Sequence, residues 1–217
     1  ALRAVSMARS RTFQRSPASR TGRYYRDTKK PAPFTRPSHG LHRVPPDRGD
    51  NSAAMRTLGA IDIGTNSIKL LVANLEEDGT LEVLLREKAM VRLGSETLRT
   101  GKLSPEAIEA GASTVEHFVK LAAGAGAEVA RAVATCAVRE ATNSHEFVEA
   151  VKKRTGVRIE VISGEEEARL INLAIRSEFP ARQDPLFLID IGGGSTEFVI
   201  SDGARVLLTE SLPLGVV

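Results

Sequence analysis

Two seven-residue segments of this chain combine residue types that can do chemistry: Ile61-Asp62-Ile63-Gly64-Thr65-Asn66-Ser67 and Ile189-Asp190-Ile191-Gly192-Gly193-Gly194-Ser195. They lie 128 residues apart and are identical at five of seven positions. In each, a short apolar run delivers one aspartate to its end, and a glycine-rich turn with a hydroxyl residue then reverses the chain. Glycine has no side chain to hold a ligand off, so Gly64, or Gly192, Gly193 and Gly194, let backbone N–H groups close around phosphate oxygens. Thr65, Asn66, Ser67, Ser195 and Thr196 can add side-chain hydrogen bonds. The aspartates need a separate reason, because a carboxylate beside a phosphate is repelled unless a cation lies between them. Mg²⁺, which keeps several waters and takes one or two carboxylates plus phosphate oxygens, is the expected cation, with Asp62 and Asp190 as its ligands. One such segment alone reads equally well as a hairpin turn with a hydrogen-bonded aspartate. Two matching copies argue instead for two related lobes, each presenting one jaw of a phosphate clamp.

The elements that must carry these jaws can be read from periodicity. Residues 58–63, 68–75 and 81–91 form three strands, the latter two joined by a turn at Asp78-Gly79. Ser104-Pro105 starts a helix whose Ile108, Ala112, Val115 and Val119 recur at helical spacing, ending near 124–126. A strand at 128–135, a capped helix at 144–155 stopped by Gly156, a strand at 157–162 and a helix at 164–179 ended by Pro180 follow. Strands at 186–191, 196–201 and 205–208, the last two joined at Asp202-Gly203, complete the chain. The order is α/β, a mixed lobe over residues 56–183 and the opening of a second over 184–217.

Composition separates these lobes from what precedes them. The first 54 residues hold 12 Lys plus Arg against 3 Asp plus Glu, whereas the remainder holds 18 against 24. The overall charge of +3 is therefore a property of the basic segment, and the folded part offers no specific nucleic-acid surface. Residues 1–55 carry no apolar periodicity and are expected to be a disordered basic tail. Three readings of it stand: translated sequence ahead of a start at Met55, an organellar transit peptide, or a basic arm. No run of about 18 apolar residues occurs, so no membrane partner is expected. Cys136 is the only cysteine, which excludes a disulfide framework and fits a reducing cytoplasm.

Four motifs in order and spacing, Asp62 to Leu71 (DIGTNSIKLL), Thr135 to Glu140 (TCAVRE), Ser163 to Leu170 (SGEEEARL) and Asp190 to Glu197 (DIGGGSTE), resemble the Ppx/GppA phosphatases, or exopolyphosphatases. The resemblance covers residues 57–217. It implies the two-lobed fold of the actin, heat-shock chaperone and sugar kinase superfamily, with a ribonuclease-H-like lobe on each side of a phosphate cleft, the second lobe being truncated here. It implies Mg²⁺-assisted hydrolysis of the terminal phosphoanhydride of inorganic polyphosphate, guanosine pentaphosphate, or both, and it is compatible with a homodimer. Carried onto this chain, residues 62–67 and 190–196 match the two phosphate loops. Glu167 is the first choice for general base and Glu166 the second. Arg139 is the expected positive charge on the transferred group, with Arg92, in an Arg-Leu-Gly stretch, as a second. Cys136 departs from members with a polar or acidic residue there and reads as a buried structural cysteine. Without the resemblance, Glu165 to Glu167 are simply acids favoured at a helix start.

The loops alone are shared with kinases and ATPases, for which tight ATP binding with phosphoryl transfer would speak. A non-catalytic sensor of phosphorylated ligands would bind without turnover. The chain as given, with its second lobe short, is expected to be weakly active or inactive.

Overall fold

The computed structural model describes residues 56–77, 79–179, 184–203 and 205–217. The expected disordered tail, Asp78 of the first turn and Pro180 lie outside the described residues.

Three strands come first: β1 Arg56–Ile63, β2 Ser67–Leu75 and β3 Leu81–Met90. Two helices follow, α1 Gly94–Thr100 and α2 Pro105–Gly124, then β4 Glu128–Ala134, α3 Cys136–Arg139, α4 Ser144–Thr155, β5 Ile159–Val161 and α5 Gly164–Glu178. β6 Leu186–Ile191, β7 Thr196–Asp202 and β8 Arg205–Leu212 complete the chain. The first sheet has the order β3-β2-β1-β4-β5, and β6-β7-β8 form a second. β1 runs antiparallel to β2 and parallel to β4, whose crossover carries α2. This is the mixed α/β architecture expected from the element order. α1 and α3 were not expected, since seven and four residues are too few for helical periodicity to register.

Alternation along β1 and β4 gives the first sheet two different faces. Ile61, Ile63, Ala132 and Ala134 are buried with Val115, Phe118 and Ala122 of α2 and Phe147 and Val151 of α4 in one apolar cluster. A side chain at Gly111 would meet the Phe147 ring at 2.7 Å, so α2 and α4 approach as closely as they do because position 111 has none. The opposite face carries Ala60, Asp62, Arg131 and Val133, and these line a cavity together with α5. α5 also packs on the second sheet, where its Arg176 donates to the Ser201 carbonyl and hydroxyl and the Ser201 hydroxyl donates to Asn172 Oδ1.

Local chemistry sets the ends of these helices. The Ser104 hydroxyl accepts from Ala107 N–H and Ser163 from Glu166 N–H, the hydrogen bonds that satisfy orphan N-terminal donors. Gly156 closes α4 in the left-handed conformation at φ 73°. Asn143 precedes α4 without a side-chain cap. Its amide instead bridges both backbone groups of Leu103, fastening the loop ahead of α2. No helix among the described residues is long and apolar enough to cross a membrane.

Candidate active site

β1 ends at Ile63 and β2 begins at Ser67, and Gly64 N–H donates to the Ser67 carbonyl at 3.1 Å. Gly192 N–H donates to the Ser195 carbonyl at 2.7 Å. The strand registers agree as well, Ile63 opposite Ile68 and Ile191 opposite Thr196. The two segments are thus the same hairpin made twice. They also face each other: a side chain on Gly193 would reach Thr65 Cβ at 3.0 Å and Asn66 Nδ2 at 3.1 Å, and one on Gly194 would reach Cys136 Sγ at 2.7 Å.

Behind the hairpins, Asp62, Asp190 and Glu167 line a single cavity of about 210 Å³, with Ile61, Val133, Thr135, Ile162, Leu170 and Ile171 as mostly apolar walls. The equivalence of the hairpins breaks down at the residue opposite each aspartate. Asp62 is the register partner of Lys69, and their side chains form an ion pair at 3.7 Å. Asp190 is the register partner of Glu197. Lys69 and Glu197 are 128 residues apart, so the repeat places opposite charges at one structural position. Glu197 is 1% exposed; one oxygen accepts from the Ser211 hydroxyl at 3.0 Å and Oε2 has no hydrogen-bond partner. Glu197 thus buries an open acceptor oxygen at the register position opposite Asp190, which is costly in itself. No three His, Cys, Asp or Glu among the described residues are grouped to hold a metal ion. Of the two expected metal ligands, Asp62 is thus paired with Lys69 within the chain, while Asp190 stands opposite an acid. Sequence reading missed Glu197.

Glu167 is held by Arg139, whose Nη1 donates to its Oε2 at 3.2 Å and to the Ile162 carbonyl at 3.3 Å, while Nε donates to Glu140 at 3.2 Å. The two side chains are 19% and 10% exposed. Burial lowers the Arg139 pKa, but the hydrogen bond and charge of Glu167 outweigh it and raise it, so the guanidinium stays charged. Glu166 takes a different direction. Arg169 donates to it twice, at 2.6 and 2.9 Å, and Arg131 once at 3.5 Å. The Arg169 hydrogen bond holds its carboxyl below the usual carboxylate range, which makes it a poorer base, and it does not line the aspartate cavity.

Arg139 is therefore brought to Glu167, and Ser195 and Thr65 both to the Cys136 thiol, whereas Arg92 is exposed beside the first hairpin. Its φ of 58° is left-handed, a conformation costing a non-glycine residue about 1 kcal/mol. Its N–H and that of Val91 both donate to the Asn66 carbonyl, at 2.9 and 3.1 Å.

A profile of the Ppx/GppA phosphatase family matches residues 71–217. The chain belongs to the Ppx/GppA phosphatase family. Among its curated relatives, Exopolyphosphatase 1 of Mycobacterium leprae is 37% identical over 158 residues, 73% of this chain and 47% of the relative. Exopolyphosphatase 1 of Mycobacterium tuberculosis is 35% identical, over 73% of this chain and 46% of the relative. The Ppx/GppA family member of Aquifex aeolicus superposes with a TM-score of 0.67 at 35% identity, covering 75% of this chain and 52% of that one. An exopolyphosphatase from Cytophaga hutchinsonii gives 0.70 at 31% identity, covering 74% and 51%. This Ppx/GppA chain spans about half the length of the curated relatives it matches.

In this Ppx/GppA chain the thiol of Cys136 sits at the meeting point of the two hairpins, 2% exposed and hydrogen bonded with Ser195 and Thr65. Burial raises its pKa above the ordinary 9.0. The neutral form is the one favoured by the fold, so its stabilising effect is complete below the ordinary value and is lost as pH rises through the raised one. Iodoacetamide at pH 7.5 should accordingly label the folded chain at least about 100-fold more slowly than the urea-unfolded chain, followed by mass spectrometry. Equal rates would contradict the buried, protonated thiol.

Proposed function

We propose that the protein hydrolyses the terminal phosphoanhydride of inorganic polyphosphate. The observation that carries this reading is the convergence of Asp62, Asp190 and Glu167 on one cavity beneath two facing glycine hairpins. Relatives named exopolyphosphatase support it.

In this reading the hairpin N–H groups and the hydroxyls of Thr65, Ser67 and Ser195 bind the phosphate chain, while the Thr196 hydroxyl is taken up by the Leu214 carbonyl. Arg139 and Arg92 add positive charge as negative charge spreads over the transferred group. Glu167, ionised against Arg139, takes a proton from the attacking water. The water oxygen bonds to the terminal phosphorus, the bridging P–O bond breaks, and the electron pair leaves with the shortened chain. Mg²⁺ held by Asp190 and Glu197, with Asp62 facing the cavity that Asp190 lines, would neutralise phosphate charge. Asp62 itself, balanced by Lys69, accepts hydrogen bonds from solvent in the cavity and orients it. Guanosine pentaphosphate carries the same terminal linkage and is the second expected substrate. The single cysteine supports a cytoplasmic location, and a homodimer belongs to this reading only through the family resemblance.

The test is orthophosphate release by the complete gene product from medium-chain polyphosphate with and without Mg²⁺. Release that requires the metal is expected, with the chain shortening from its ends on gel electrophoresis. A folded product that instead transfers phosphoryl groups to an acceptor, or that binds polyphosphate without turnover, would refute the proposal.

A further inference from the structure

Each phosphate hairpin is braced from behind by the backbone that follows the third strand of its own sheet. β3 ends at Met90, and the chain then turns back so that Gly94 N–H donates to the Thr65 carbonyl at 2.9 Å while Val91 and Arg92 hold the Asn66 carbonyl. β8 ends at Leu212, and the Val216 and Val217 N–H groups donate to the carbonyls of Gly192 and Gly193 at 3.2 and 3.1 Å. The Thr196 hydroxyl donates to the Leu214 carbonyl at 2.6 Å. Both braces contain the same dipeptide, Leu93-Gly94 and Leu214-Gly215.

Neither glycine has room for a side chain. A Cβ on Gly94 would lie 2.1 Å from Thr65 Cγ2, and one on Gly215 would lie 2.0 Å from the Gly193 carbonyl oxygen. The contact matters because a trans peptide is planar, with its C=O and the following N–H on opposite sides. Holding the Thr65 carbonyl turns the Asn66 N–H the other way. Holding the Gly192 and Gly193 carbonyls turns the N–H groups of Gly193 and Gly194 away from the brace. Among the described residues none of these three N–H groups donates to a backbone carbonyl, which leaves them to an anion, as in a phosphate nest.

We infer that Gly94 and Gly215 are a pair of positioning residues, each fixing by its lack of a side chain the brace that turns its hairpin's N–H groups toward bound phosphate. This rests on the phosphoanhydride reading above. It extends the internal repeat to a second layer that a single sliding offset does not reveal: the two glycines are 121 residues apart (215 less 94), whereas the hairpins are 128 apart.

The test uses the purified chain and inorganic tripolyphosphate, with binding measured by calorimetry and folding by circular dichroism. Gly94→Ala should weaken binding at least about tenfold with the spectrum unchanged. Thr65→Ser removes the methyl that the new Cβ would strike and keeps the hydroxyl, so the Thr65→Ser/Gly94→Ala double variant should bind within about threefold of Thr65→Ser alone. Gly124→Ala, whose added Cβ meets nothing within 4 Å, should bind as the wild type does. Gly94→Ala binding normally, or a double variant no better than Gly94→Ala, would overturn the inference. If the wild-type chain does not bind tripolyphosphate, the phosphoanhydride reading falls, and amide exchange still decides the brace. Gly94, Val216 and Val217 amides should be protected while Asn66, Gly193 and Gly194 exchange freely; the reverse pattern would overturn it.

Discussion

Replacing Glu167 with glutamine should lower orthophosphate release from polyphosphate by about 10²- to 10⁴-fold, the usual contribution of a positioned general base, while KM stays within about threefold. Glutamine keeps the shape and an oxygen that can still accept from Arg139 Nη1, but it cannot take the proton of the attacking water. The loss should therefore fall on kcat. Arg139 retains the Ile162 carbonyl and Glu140 as acceptors, so the variant should fold, which a thermal melt would check. Glu166→Gln is the matched control. Its carboxylate is taken up by Arg169 and Arg131, so its loss should cost less than about tenfold in rate. A Glu167→Gln enzyme within tenfold of the wild type, or a Glu166→Gln enzyme that is the worse of the two, would remove Glu167 from the role of base.

Adjacent glutamates with such different fates illustrate which features were legible in the sequence. Helical spacing places residues 166 and 167 about 100° apart on α5, so at most one of them can face the cleft. Nothing in the string Glu-Glu-Glu says which. That depended on Arg139, which is 28 residues away and reaches Glu167, and on Arg169, one turn along α5, which captures Glu166. The strands around both hairpins were legible because a short apolar run bearing one aspartate before a glycine turn is a strong pattern, and their equivalence followed from five identities in seven positions. α1 and α3 were not, because a helix of one or two turns has no period to detect.

Glu197 was within reach. Carrying the sliding comparison two residues past Ser67 and Ser195 sets Lys69 against Glu197, a reversal of charge at one position of a repeat. Its meaning is visible only once the strands are paired, because only then do Lys69 and Glu197 stand opposite Asp62 and Asp190. Gly215 was hidden differently. Its brace lies beyond strands of unequal length, so no single offset aligns both the hairpins and the glycines behind them.

That reversal leads to the second large effect. Lys69 supplies within the chain a positive charge for Asp62, whereas among the described residues Glu197 takes part in no ion pair and leaves Oε2 unsatisfied. A buried acceptor oxygen without a hydrogen-bond partner is costly, and in the proposed reading a divalent cation held by Asp190 and Glu197 relieves that cost and also serves phosphate. Glu197→Lys would rebuild in the second hairpin the Asp–Lys pair of the first. It should abolish divalent-metal binding, read with Mn²⁺ by electron paramagnetic resonance on the purified chain, while Glu197→Gln should weaken it about 10- to 100-fold. Asp62→Asn should leave Mn²⁺ affinity within about threefold, since that carboxylate is already balanced. The contrast tests the assignment of metal to the second hairpin rather than to both. If Asp62→Asn releases the metal as completely as Glu197→Lys does, the ion bridges the two aspartates and the charge reversal has another cause. If neither variant changes Mn²⁺ binding, the metal is held at neither hairpin.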